Sequence, residues 1–131
     1  MSSFKLQILT PFGQYFNGEV EYLSLSNSAG VLGILPHHIP LVTDVVLGKV
    51  IVVIKGNRHT YATTGGVLNI EKEKVTLMLN TIERSDEIDV DRAKKSKERA
   101  EKRIESGEGN LKRAQDSLKR ANNRLDVADK K

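Results

Sequence analysis

The chain has 131 residues, 29% of them charged and 5% aromatic, with a formal net charge of +4 and no cysteine. That length suits one ordinary domain, or one small core with an appendage that lacks a core of its own. The missing cysteine excludes a disulfide framework, a thiolate zinc site and a thiol nucleophile, and no apolar run nears the roughly 20 residues of a membrane helix.

The composition changes along the chain. All six aromatic residues (Phe4, Phe12, Tyr15, Phe16, Tyr22, Tyr61) and all three prolines (Pro11, Pro36, Pro40) precede residue 62. Residues 1–84 carry seven Lys or Arg and six Asp or Glu; the rest carry fourteen and eleven. Core-forming material therefore belongs to a first domain, 1–84, and charge to a second, 85–131. The basic balance permits nucleic acid, acidic membrane or acidic protein partners, but interleaved signs weaken the field a phosphate-binding arm would use. The opening residues lack the charged-then-apolar pattern of an export signal, so a soluble, cytoplasmic-side protein is expected.

In chain order, Phe4, Leu6 and Ile8 alternate with Lys5 and Gln7 up to Pro11 and Gly13, which predicts a half-buried strand. Val20–Ser26 is a second strand, ended by the turn formers Asn27, Ser28, Ala29 and Gly30. Val50–Ile54 is a β-branched run, Gly56-Asn57 a turn signal and Thr60–Ala62 the returning partner. Val67, Leu68 and Ile70 lead into the charged turn 71–74, and Val75–Leu79 closes the series. Short strands about ten residues apart, separated by Gly or Pro, predict a mainly β N-terminal sandwich or flattened barrel.

The tail switches period. Leu111, Ala114, Leu118, Ala121, Leu125 and Ala128 form an alternating three-four seam, and Ala93, Ala100 and Ile104 a thinner one that Lys97 interrupts. Between them 106–110 contains two glycines in three residues, so the product is a C-terminal α-helical hairpin, roughly 89–105 and 110–128. A half-alanine seam gains little at about 0.8 kcal/mol per buried methylene, against roughly 1 to 2 kcal/mol per residue of ordering entropy. Its docking is expected to be marginal, with a ligand or partner choosing among packed, extended and melted states.

Catalytic constellations are lacking. His37 and His38 would point to opposite faces of a strand, and no nucleophile elbow, zinc helix or Walker loop is present. Asp89 suits a helix N-cap, Asp91 the positive end of the helix dipole, and Ile88 an apolar staple to Ala93. Arg92, Arg99 and Arg103 recur at intervals of seven and four, as do Arg113, Arg120 and Arg124, giving guanidinium bands suited to phosphate or carboxylate, or simply solvated faces balanced by Glu98, Glu101 and Glu105. From these residues, a basic helical-tail adaptor and a nucleic-acid-binding module remain as alternatives; the tail's lack of aromatics disfavours nucleic acid.

The stretch Gly33-Ile34-Leu35-Pro36-His37-His38-Ile39-Pro40-Leu41 closely resembles the Gly-Ile-Leu/Tyr-Pro-x-His-x-Pro-Leu signature of bacterial-type epsilon subunits of rotary F-type ATP synthases. Thr10-Pro11, Gly18-x-Val20, Leu47-Gly48-x-Val50, Gly65-Gly66 and Ile88–Ala93 agree in order and spacing, and Val67 replaces the family's usual aromatic. The resemblance covers almost the whole chain. It implies a non-catalytic central-stalk subunit that couples proton flow to rotation and ATP synthesis, with its sandwich binding the gamma subunit and the membrane c-ring. The loop Ala29, Gly30, Val31 and Leu32 matches a c-ring-facing segment, and His38 a gamma-facing one. The family's hairpin folds against the sandwich or extends into the alpha/beta catalytic hexamer, blocking ATP hydrolysis; the basic face that would meet the hexamer comprises Arg103, Arg113, Arg120 and Arg124. In some bacterial members an Ile/Leu-Asp-x-x-Arg-Ala element binds ATP as a regulatory ligand and holds the hairpin down. Here it corresponds to Ile88, Asp89, Arg92 and Ala93. Glu83 is carried over as a reader of adenine or a nearby donor, Arg92 and Arg99 as phosphate-facing groups, and Asp89 as the cap that orients the site, with a second-helix arginine added. The resemblance implies no catalytic cofactor, no metal and no nucleic acid, and a peripheral place on the cytoplasmic face of the cell membrane through the complex.

Overall fold

The computed structural model describes residues 2–107 and 109–128. Residue 108, inside the expected helix break, and residues 129–131, at the end of the expected 85–131 domain, lie outside the described residues, as does Met1 at the start of the first.

Ten strands run in order: β1 (Phe4–Thr10), β2 (Gly13–Val20), β3 (Tyr22–Asn27), β4 (Gly30–Ile34), β5 (Leu41–Val45), β6 (Gly48–Ile54), β7 (Asn57–Thr63), β8 (Gly66–Ile70), β9 (Val75–Leu79) and β10 (Glu83–Arg84). They form two five-stranded sheets, β2-β1-β9-β8-β5 and β10-β7-β6-β3-β4. β1 pairs with β9 in parallel. The inner faces meet at Leu6, Ile8, Leu23, Leu25, Val50, Val52, Leu68, Leu77 and their neighbours, each at most 1% exposed. The expected β-sandwich is thus present, and period-two alternation in β1, β6 and β9 selects the residues that enter its core.

Three local expectations change. The strand expected over Val20–Ser26 is divided at Glu21, where the chain passes from one sheet to the other. Val20 ends β2 and Tyr22 begins β3, while Glu21 N–H donates to the Val53 carbonyl at 2.8 Å and its carboxylate accepts from Gly56 N–H at 2.7 Å. The β6–β7 hairpin turns on Lys55-Gly56 instead of Gly56-Asn57, because Ile54 pairs with Asn57 and the two intervening residues have φ of 49° and 78°. Positive φ at both central positions is the geometry that matches strand twist. Finally, Gly30, Val31 and Leu32 belong to strand β4, not to a loop; the connection is only Ser28-Ala29, closed by Asn27 opposite Gly30.

A single 3₁₀ turn (Ser85–Glu87) leads to α1 (Val90–Ser106) and α2 (Leu111–Ala128). Asp89 caps α1 by accepting from Arg92 N–H at 3.0 Å, and Gly107, at φ 72°, returns its N–H to the Arg103 carbonyl at 3.1 Å. Such a left-handed residue stops a helix without the steric penalty of a Cβ. Asn110 starts α2, accepting from Arg113 N–H at 3.1 Å. Ala93, Ala100, Ala114 and Ala121 are buried along the helical seam, so the helices approach closely with little apolar mass between them. Leu111, expected at the head of the seam, is 51% exposed, whereas Val127, outside the expected spacing, is fully buried.

Val127 explains the docking. With Ala128, Ile88 and Ala62 it forms a small apolar cluster between the end of α2 and β7, with Val90 packed on its edge. Asn123 donates to the Gly48 carbonyl at 2.8 Å, and Lys49 lies 3.8 Å from Asp126. The hairpin therefore lies folded against the sandwich, mainly through the last two turns of α2.

Candidate functional site

A cavity of about 370 Å³ lies where both helices cross the β7 end of the sandwich. Thr63, Thr64, Thr81 and Glu83 form its sandwich wall, and Ser96, Ser117, Arg120, Asn123 and Arg124 its helical wall. The threonines hold one another: Thr63 Oγ1 donates to the Thr81 carbonyl at 2.7 Å, and the Thr64 and Thr81 hydroxyls are 2.8 Å apart. Glu83, carried on the short edge strand β10, accepts from Arg124 Nε at 2.8 Å and Nη2 at 3.0 Å. This pair is a bidentate polar tie between hairpin and sandwich, beside the Asn123 and Lys49 contacts.

The remaining expected ligands are distributed around this cavity. Ile88 is buried beneath the end of α2, Ala93 is buried in the helix seam, and Asp89 is engaged as the N-cap. Arg92 is exposed and outside the cavity wall. Arg99 donates from Nη2 to Ser96 Oγ at 3.3 Å, and Arg120 does the same to Ser117 Oγ at 3.1 Å. Arg103 and Arg113 instead flank a separate opening at the hairpin tip, beside Gly109 and Asn110. The four arginines grouped as one basic face therefore divide: two at the tip, two at the sandwich, with Arg124 turned onto Glu83.

Sequence reasoning missed Thr63, Thr64, Thr81, Ser96, Ser117 and Asn123. Only the last carried a signal, since Asn122-Asn123 is a poor helix-forming pair placed inside an otherwise regular seam.

The entry to the hairpin has its own network. Tyr15 OH donates to Glu87 at 3.5 Å and its ring stands edge-on to Tyr61 at 6.1 Å, while Arg84 Nε lies 3.2 Å from both Asp86 and Glu87. Burial, with the Glu87 charge beside it, pushes the Tyr15 phenol up to about 12, and burial also raises Tyr61. The Asp86 and Glu87 carboxylates raise Arg84.

At the opposite end of the sandwich, His37 and His38 sit in a turn and not on a strand; His37 has φ 68° after Pro36, the pattern of a type II turn. The His38 ring packs on Phe4 at 5.8 Å, and among the described residues neither ring nitrogen makes a well-formed hydrogen bond. Burial holds its pKa below 6.5, an effect the nearby Leu35 backbone offsets in part. A depression of about 920 Å³ beside it is lined by opposed charges, Lys5, Glu19, Glu71 and Lys74 among them. It is larger than the cavity under the helices but lacks a convergent set of like-charged donors. Ala29 and Gly30 are exposed at the β3–β4 connection, Val31 is 80% exposed, and Leu32 packs onto the core.

Residues 3–85 match the family model "ATP synthase, Delta/Epsilon chain, beta-sandwich domain", and residues 86–129 match "ATP synthase, Delta/Epsilon chain, long alpha-helix domain". The chain belongs to the ATP synthase delta/epsilon family. Within that family, the ATP synthase epsilon chain of Bacillus pumilus is 39% identical over 98 residues, 75% of each chain. That of Anoxybacillus flavithermus is 40% identical over 99 residues, 75% of this chain and 73% of the relative. A chain of the Euglena gracilis mitochondrial ATP synthase, in a structure of OSCP, F1 and c-ring, superposes with a TM-score of 0.76 at 17% identity, covering 98% of this chain and 79% of its own. A chain from the central stalk and c-ring of the Tetrahymena thermophila enzyme gives 0.58 at 13% identity, covering 66% and 70%. At such identities these two show a shared fold. The resemblance drawn from the Gly33–Leu41 signature is therefore correct at the level of the epsilon family. Among the described residues of this epsilon-family chain, no helix is long and apolar enough to cross a membrane.

Proposed function

We propose that this epsilon-family chain is a non-catalytic regulatory subunit of the central stalk of a proton-translocating ATP synthase. Residues 1–84 form the rotor domain and 85–131 the mobile one. The β-domain seats on a gamma subunit near His38 and on a membrane c-ring at Ala29, Gly30, Val31 and Leu32, which places the protein on the cytoplasmic face of a membrane only through the complex. The hairpin is the switch. Folded down, it takes ATP in the cavity between sandwich and helices; extended, it carries Arg103, Arg113, Arg120 and Arg124 into the alpha/beta hexamer and suppresses ATP hydrolysis.

The observation that carries this reading is the Glu83–Arg124 pair at the mouth of the cavity under α2. Among the described residues, a docking surface with one bidentate ion pair, one short hydrogen bond from Asn123, a looser Lys49–Asp126 pair and a four-residue apolar cluster is light, so a ligand that binds only the docked form acts strongly on it. ATP at a hundredfold excess over its dissociation constant would stabilise that form by about 2.7 kcal/mol. Glu83 and the threonine hydroxyls offer acceptors and donors for a base and sugar, and the arginines offer charge for phosphates.

The test is reconstitution. Full-length chain is added to a bacterial alpha/beta/gamma catalytic complex lacking its own epsilon subunit, and ATP hydrolysis and co-elution are measured. Tight association with suppressed hydrolysis, relieved as ATP rises, is the expected result. No association with the gamma-containing complex would sink the rotor assignment; association without suppression would sink the inhibitory switch alone.

A further inference from the structure

We infer that Ser96 and Ser117 are positioning residues that hold Arg99 and Arg120 ready for the polyphosphate of a nucleotide in the cavity between hairpin and sandwich. The inference rests on reading that cavity as a nucleotide site and concerns how the site meets the anion.

The two helices present the same device twice. Ser96 and Arg99 on α1, and Ser117 and Arg120 on α2, are each three residues apart and share a helix face, and in each pair the guanidinium Nη2 donates to the serine oxygen, at 3.3 Å and 3.1 Å. Both serines are half-buried and line the same cavity from opposite helices. A serine inside a helix usually turns back on its own backbone or competes with it, so two half-buried serines, each accepting from the arginine one turn on, call for a reason beyond helix formation.

Uncompensated charge supplies that reason. Arg124 is already neutralised by Glu83. Among the described residues, neither Arg99 nor Arg120 lies within ion-pair distance of a carboxylate, so Arg120 is an uncompensated cation on the cavity wall and Arg99 an exposed, uncompensated one tied to the wall through Ser96. Neutral serine oxygens restrain these guanidiniums without cancelling their charge. An arginine has large rotamer freedom to lose on binding, and fixing it beforehand improves affinity for whatever anion arrives. Each hydroxyl also keeps its own proton to donate, since only its lone pairs are engaged by the arginine. Two guanidiniums and two hydroxyls on facing helices suit an extended anion better than a single phosphate.

Calorimetric titration of the full chain with ATP and with AMP separates this from a structural role. Ser96→Ala and Ser117→Ala should each weaken ATP binding by about three- to tenfold, the size of one lost hydrogen bond, and leave AMP binding unchanged, so the ATP-to-AMP preference narrows. Ser→Thr at either position should restore it, and the melting temperature without ligand should stay constant. Alanine variants with full ATP affinity and preference would overturn the inference while leaving the nucleotide site standing. Equal losses for ATP and AMP would also overturn it, since the serines would then act on the base or the fold. A wild-type chain that binds neither nucleotide would overturn the site itself.

Discussion

Removing Arg124 should loosen the hairpin without unfolding the sandwich. Arg124 reaches Glu83 by two hydrogen bonds of 2.8 and 3.0 Å, with side chains 26% and 36% exposed. Charge-assisted hydrogen bonds contribute about 1.5 to 3 kcal/mol when well shielded, and exposed ion pairs about 0 to 1, so a pair roughly a third exposed should contribute about 1 to 2 kcal/mol. That corresponds to a factor of about 5 to 30 in the docked population. Arg124→Ala should therefore speed amide hydrogen exchange in α2 by that factor while β6 and β7 keep their protection. Glu83→Gln should give a similar change, and the double variant little more than either alone, because both lose one interaction. Unchanged exchange in α2 would refute the claim that this pair holds the hairpin. Equal acceleration in the strands would show that the helices and sandwich form one cooperative unit.

Three other perturbations follow from the geometry. His37→Gly should raise stability by about 0.5 to 1 kcal/mol in urea unfolding, since glycine adopts the positive φ of 68° freely and the gain exceeds its extra unfolded entropy; a drop would show that the His37 ring matters more than its backbone. Tyr15, with its phenol pushed up to about 12, is favoured protonated in the fold, so the stability it contributes is whole below pH 10 and declines as pH rises from 10 through 12; ultraviolet titration should find this late ionisation, and Glu87→Gln should bring it earlier. His38 has the opposite sense: its lowered pKa means the unfolded state takes up the proton first, so its contribution is whole above pH 6.5 and falls on acidification; imidazole resonances should titrate below 6.5, and Phe4→Ala should move them back toward it.

The sandwich was legible where alternation is strict. Leu6 and Ile8, or Val75 and Leu77, repeat every second residue because one face of their strand is buried, and that pattern is local. β4 and β5 were harder to read: Val31 and Val42 are exposed although apolar, so residue type no longer reports burial. The helices and their caps were legible from Asp89 and from the glycines after Ser106. What sequence could not show is how the hairpin meets the sandwich. Val127 lies outside the alanine seam because it faces β7 and not α1, and the pairing of Arg124 with Glu83 spans 41 residues of chain with no periodicity to announce it. The two Ser-x-x-Arg pairs were likewise invisible until one cavity joined them, since serine three residues from arginine on a charged helix is otherwise unremarkable.

A distance measurement tests most directly whether the hairpin is a nucleotide-held switch. The chain has no cysteine, so single cysteines at Arg58 on β7 and Lys112 at the start of α2, both exposed, accept spin labels cleanly. Double electron–electron resonance on the labelled chain should show a docked distance together with a spread of longer ones, and saturating ATP should gather the population into the docked peak. A distribution that ATP leaves unchanged, or shifts toward the longer distances, would contradict the claim.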